Sequence, residues 1–151
     1  MNDIGFRTIQ LAGKGYCCSQ ILMLLTLEVQ GRENPELVRA MAGLCMGAAN
    51  SGGLCGIFTG AACVLALYGA KGADAEKEAD KLPLMFAEMS EWFSQNTSRL
   101  YGGSSCTDIV GEDTRRPNPE RCGRLLLDTW RRIQEILLEN GFDPANPDIA
   151  L

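Results

Sequence analysis

Apolar residues recur along most of this chain at intervals of three and four, and they alternate with polar ones over no appreciable length. A 3.6-residue repeat lays one apolar stripe along a helix, whereas alternation marks a half-buried strand. The pattern predicts a short helix over about residues 3–13, ending in Gly13-Lys14-Gly15. A second helix starts near Cys17 and runs to about Gln30, with Ile21, Leu24, Leu25 and Leu27 in phase. Asn34-Pro35-Glu36 reads as an N-cap followed by a first-turn proline; it opens a third helix over about 35–48, carrying Leu37, Met41, Leu44 and Cys45. Asn50-Ser51-Gly52-Gly53 breaks the repeat, and a fourth helix follows from about Gly56 to Tyr68. After a loop over Gly69–Asp74, residues 74–97 form a long amphipathic pattern, with Pro83 as a point of kinking or restart. Tyr101-Gly102-Gly103-Ser104 is another break, and Ser105-Cys106-Thr107-Asp108 has the form of a capping box. Beyond a polar loop over Glu112–Asn118, Asn118-Pro119-Glu120 repeats the cap-and-proline signal and opens a last helix to about Asn140. The tail 143–151 is expected to be loosely ordered. The fold expected is therefore all-α, a compact single-domain bundle of about six helices over residues 1–151.

No charged residue falls between Ala40 and Ala70. A spanning helix needs about 20 continuous apolar residues, and the polar break at 50–53 leaves each half too short. A buried helical hairpin at the centre of the bundle is expected instead, with no membrane span. The sequence pI is near 4.8 and the formal net charge is -5. A nucleic-acid partner is not expected, because neutralising phosphates needs a basic face. The N-terminus lacks a basic segment followed by an apolar one, so a cytoplasmic location is expected.

Cysteine changes the picture most. There are seven cysteines and no histidine. A Ser-His-Asp or Cys-His site cannot be built from this chain, and seven cysteines cannot all pair within it. In a cytoplasmic protein such a set points to metal binding or redox chemistry rather than to structural disulfides. Four of them, Cys18, Cys55, Cys106 and Cys122, fall in the first turns of four predicted helices. A helix N-terminus offers unpaired N–H groups and about half a positive charge, which favours a thiolate and lowers its pKa. Arg121 and Arg124 flank Cys122 and act in the same direction. Cys45 and Cys63 lie inside apolar helical stretches and are expected to be packing residues. Cys17 is open between the two roles, since it adjoins Cys18 but points about 100° away on a helix. No Cys-x-x-Cys occurs, so any shared site has to be assembled by the tertiary fold. In Gly52-Gly53-Leu54-Cys55-Gly56-Ile57-Phe58-Thr59-Gly60, the glycines permit close approach of the chain to a bound group, and Gly56 and Gly60 share one helix face.

Taken together, these segments resemble the redox-active family named for its cysteine pattern, C_GCAxxG_C_C. The first signature cysteine matches Cys18 in Cys18-Ser19-Gln20, and the second matches Cys55 in Cys55-Gly56-Ile57-Phe58-Thr59-Gly60. The third matches Cys106 in Cys106-Thr107-Asp108-Ile109-Val110-Gly111, and the fourth matches Cys122 in Cys122-Gly123-Arg124-Leu125-Leu126. Ile57 stands where the motif has alanine, and Cys17, Cys45 and Cys63 lie outside the pattern. The resemblance covers about residues 5–140 and implies redox activity. The cysteine domain is also similar to part of split-Soret-type cytochromes, which suggests an iron–sulfur site, although this chain lacks their haem ligands.

Two chemistries follow for Cys18, Cys55, Cys106 and Cys122. They bind a small iron–sulfur cluster, [2Fe–2S], for electron transfer, or they form a reversible dithiol–disulfide relay with Cys106 as nucleophile. Gly56, Gly60 and Arg121 are the residues expected beside a cofactor. A redox partner protein is implied, and a homodimer is admitted. The alternatives are a structural zinc site or a helical interaction module whose cysteines only pack.

Overall fold

A computed structural model describes residues 3–111 and 116–147. Residues 112–115 of the expected polar loop and 148–151 of the expected tail lie outside the described residues. The chain is all-α. Its helices are α1 (Asp3–Gly13), α2 (Cys18–Val29), α3 (Pro35–Met41), α4 (Gly56–Gly69), α5 (Leu82–Tyr101), α6 (Cys106–Val110) and α7 (Pro119–Glu139), with a 3₁₀ turn over Ala42–Leu44.

α4 is the central element and packs against α2, α5 and α7. Apart from Thr59 and Tyr68 its side chains carry no polar group, and Ile57, Ala61, Val64 and Leu65 are fully enclosed. A helix apolar all round is stable only when covered on all sides, so the α4 half of the uncharged run becomes interior; the other half does not complete the expected buried helical hairpin, because α3 ends at Met41 and residues 42–43, 48–51 and Leu54 are exposed. Among the described residues no helix is long and apolar enough to cross a membrane. α7 is the amphipathic partner: Leu126, Trp130, Ile133 and Leu137 face the core, while Arg124 and Arg131 pair with Asp128 on the outside.

The helix starts follow the caps. Asn34 accepts the Leu37 N–H, and Asn118 accepts the N–H groups of Glu120 and Arg121. Ser105 and Asp108 form the capping box of α6. Three expectations need correction. The helix expected over 74–97 begins only at Leu82, with Pro83 in its first turn. Residues 71–78 are exposed throughout, so they offer no apolar stripe to bury, and tertiary burial is what stabilises most helices. The helix expected over 35–48 ends at Met41 and passes through the 3₁₀ turn into a left-handed turn. Met46, Gly47, Ala48, Ala49 and Asn50 all have positive φ, between 50° and 80°. Finally, the described part of the tail is tied down: the Tyr68 hydroxyl donates to Pro144 O at 2.7 Å, and Asp143 accepts from Ala145 N at 2.9 Å.

A candidate redox site built from four helix starts

The local contacts that gather the signature cysteines can be followed segment by segment. Gly60 lets α4 lie directly on α2: a Cβ there would stand 3.0 Å from Ser19 Cα and 3.2 Å from Ser19 Cβ. One turn earlier Gly56 serves Cys18. A Cβ at Gly56 would stand 2.8 Å from Cys18 Sγ and 2.8 Å from Leu44 O. The glycine thus vacates the space that the sulfur takes. Gly60, by contrast, serves helix packing and touches no cysteine among its nearest neighbours.

Cys55 and Cys106 are joined by a short piece of antiparallel pairing. Cys55 N–H donates to Ser104 O at 3.1 Å, and Cys106 N–H donates to Gly53 O at 2.6 Å. The Thr107 hydroxyl donates to Gly52 O at 3.0 Å. Ser104 is anchored to α5 through its hydroxyl, 2.6 Å from that of Thr97. Cys122 is brought in by α7, whose Arg121 reaches back to Ile109 O of α6 at 3.4 Å. The Arg121 guanidinium also lies 5.5 Å from the centroid of the Tyr101 ring. Arg124 is turned away, within 4.0 Å of Asp128.

The four sulfurs are electrostatic neighbours. A thiolate at Cys122 raises the pKa of Cys18, Cys55 and Cys106; Cys106 raises Cys18, and Cys18 raises Cys55. These influences link the four cysteines electrostatically although they are far apart along the chain.

The helix starts do act on the sulfurs as expected, but they do not prevail. The Ser19 backbone amide stabilises the Cys18 thiolate, and the amides of Ile57 and Phe58 stabilise that of Cys55. Burial outweighs them and pushes both thiols up to about 12. Cys106 is raised by burial and then by Cys122, and Cys122 is raised by burial against the opposing pull of the Asn118 backbone and Arg121. The expected lowering of these thiols is thus reversed, because removing an anion from water costs more than a helix terminus returns. Ile57, at the alanine position of the motif, directs its side chain into the core and is 1% exposed.

Two cysteines outside the motif prove to be partners. Cys17 and Cys45 form a disulfide, with Cα atoms 6.1 Å apart. Cys45 is therefore not a packing residue alone. Cys17 is the N-cap of α2 rather than a residue inside it, with φ -91° and ψ 173°, and this extended backbone takes it off the helix face. Nothing in the helical spacing could signal that pairing, since both partners sit where a helix is ending or beginning. Cys63, half-buried on α4, packs against the core as expected.

The chain matches the family described as "Putative redox-active protein (C_GCAxxG_C_C)" over residues 16–136. It belongs to that family. No curated protein and no solved structure matches the chain.

Proposed function

We propose that this protein transfers electrons through a centre formed by Cys18, Cys55, Cys106 and Cys122, and that the group they hold is a [2Fe–2S] cluster. The observation that carries this reading is the mutual influence of four thiols delivered by α2, α4, α6 and α7. The donor type also suits the group. A [2Fe–2S] cluster takes four cysteine thiolates, two on each iron, so it calls for two pairs rather than three donors round one point. A structural zinc site calls for four donors about a single ion. Among the described residues no group of three or more His, Cys, Asp or Glu side chains is placed to hold a metal ion, so the four thiols have to draw closer to take up either a cluster or zinc. A dithiol relay is less well supported, because buried thiols held in the neutral form are weak nucleophiles. A cluster would supply a one-electron couple. The chain's own part is to exclude water with Ile57 and Ile109, and to aim the amides of Ser19, Ile57 and Phe58 at sulfur, which tunes a potential.

Protein purified without oxygen should be coloured and carry about two irons and two acid-labile sulfides per chain. Replacing any one of the four by serine should lower that content severely, whereas Cys63→Ser should not. Colourless, metal-free protein whose four thiols form disulfides reversibly would replace the cluster with the relay. Four inert thiols would leave the packing module.

A further inference from the structure

The Cys17–Cys45 disulfide is asymmetric in its surroundings. Cys45 is buried at 7% exposure, while Cys17 is half-buried. Tyr16, its neighbour in sequence, lines an open cleft of about 600 Å³ between α2 and α3 together with Gln20 and Val38. Gln20 reaches from that lining to the disulfide. Its Oε1 accepts the Cys17 N–H at 3.1 Å and lies 3.4 Å from Cys17 Sγ, and its amide donates to Val38 O at 3.1 Å. The buried end has a different neighbour. The Ser19 Oγ is 3.0 Å from Cys45 Sγ and 2.7 Å from Met41 O, and stands farther, 3.6 Å, from Cys17 Sγ. One sulfur thus belongs to the less buried residue, beside a side chain that lines the cleft, and the other lies nearer the Ser19 hydroxyl. Thiol–disulfide exchange needs an accessible sulfur to attack and a leaving thiolate that is stabilised.

We infer that Cys17–Cys45 is a second redox couple of this chain, attacked at Cys17 Sγ, the sulfur of the less buried partner, with Cys45 as the leaving thiolate. The co-reactant is a dithiol reductant. Its thiolate forms a bond to Cys17 Sγ as the Cys17–Cys45 bond breaks. The electron pair of the broken bond goes to Cys45 Sγ, where the Ser19 hydroxyl turns from Met41 O to donate to it. The second thiol of the reductant then gives up its proton and attacks its own partner sulfur in the mixed disulfide. The reductant departs as a cyclic disulfide and Cys17 leaves as a thiolate. Two electrons pass from the reductant to the couple, and protons restore both thiols. The couple borders the four-cysteine site, because the position a Gly56 Cβ would take lies 2.8 Å from Cys18 Sγ and 3.5 Å from Cys45 Cα. The inference does not depend on what the four cysteines hold.

The full chain, purified without oxygen, tests this with dithiothreitol as the reductant and alkylation followed by peptide mass spectrometry as the readout. Cys17 and Cys45 should become alkylated together while the far-UV dichroism stays helical, and oxidised dithiothreitol should close the bond again. Ser19→Ala should slow the reduction about tenfold. As a second variant pair, 5,5′-dithiobis(2-nitrobenzoate) should label Cys17 in Cys45→Ser at least about tenfold faster than Cys45 in Cys17→Ser. Reduction only after unfolding would make the bond a structural cross-link and overturn the inference. Equal labelling of the two cysteines, or an unchanged rate in Ser19→Ala, would overturn the assigned direction of attack. Iron and sulfide content in Cys45→Ser reports on the four-cysteine site separately, so either idea can fail alone.

Discussion

At the scale of the residue, the decisive quantity is the cost of ionising a buried thiol. Cys18 and Cys55 hold their protons up to about 12 in the metal-free chain, while in the unfolded chain they release them near the ordinary thiol value. Between those limits the folded state binds more protons than the unfolded one, so stability must fall as pH rises. The slope should reach about 1.4 kcal/mol per pH unit for each such thiol. Urea unfolding of metal-free protein from pH 8 to 11 should show this alkaline loss, and Cys55→Ser should remove part of it. A flat profile would mean that the thiols are better solvated than their burial indicates. Gly56→Ala is the sharpest steric probe. The added methyl meets Cys18 Sγ and a backbone carbonyl at 2.8 Å, and the carbonyl cannot swing away. A loss of about 1–3 kcal/mol is expected, as for other overpacked sites, together with reduced iron content measured under the same anaerobic conditions. Gly123→Ala, with open space around the position, is the control that should show neither effect.

At the scale of the element, the left-handed turn over 46–50 is the costliest piece of backbone. A non-glycine residue in this region costs about 1–2 kcal/mol, and Met46, Ala48, Ala49 and Asn50 all occupy it. The turn is held by its own hydrogen bonds, Gly52 N–H to Met46 O at 2.9 Å and Gly53 N–H to Gly47 O at 3.1 Å. It carries the chain from Cys45, in the disulfide, to Gly53, whose carbonyl receives Cys106 N–H. Ala48→Gly should therefore stabilise the protein by up to about 1 kcal/mol, since glycine adopts this conformation without the Cβ penalty. Thermal unfolding will read this as a midpoint higher by a few degrees. An unchanged or lower midpoint would mean that the turn is not left-handed in solution. The cap of α7 gives the complementary test. Asn118→Ala removes the acceptor for two amides and should cost about 1 kcal/mol, loosening the turn that carries Cys122.

At the scale of the whole molecule, α4 packs against α2, α5 and α7, so the bundle is expected to unfold as one cooperative unit. Leu65 is fully buried in the core, and Leu65→Ala should cost about 2–5 kcal/mol through lost transfer energy and the cavity left behind. Denaturant titration followed by dichroism should still show a single transition for this variant. Two transitions would divide the bundle into separately folding parts.

Read along the chain alone, the helical class, the caps at Asn34, Ser105 and Asn118, and the apolar helix α4 were all legible, because each depends on residues within a few positions of one another; the expected hairpin partner of α4 was not, since the chain there turns left-handed and is exposed. The four signature cysteines were legible as helix-start residues for the same reason, and the need for Gly56 beside them could be read from the motif. Three features required the tertiary structure. The helix over 74–81 does not form, because no neighbour offers that segment an apolar surface to bury. The thiol pKa values rise rather than fall, because burial outweighs the helix starts, with other signature cysteines adding to it at Cys18, Cys55 and Cys106, and both depend on residues distant in sequence. The Cys17–Cys45 pairing joins positions 28 apart, through a cap that leaves α2 and a turn that ends the α3 segment. Local sequence determines which elements form and where they begin; which side chains meet is settled only when α2 and α4 close on each other, since that contact fixes the distances on which every one of these interactions depends.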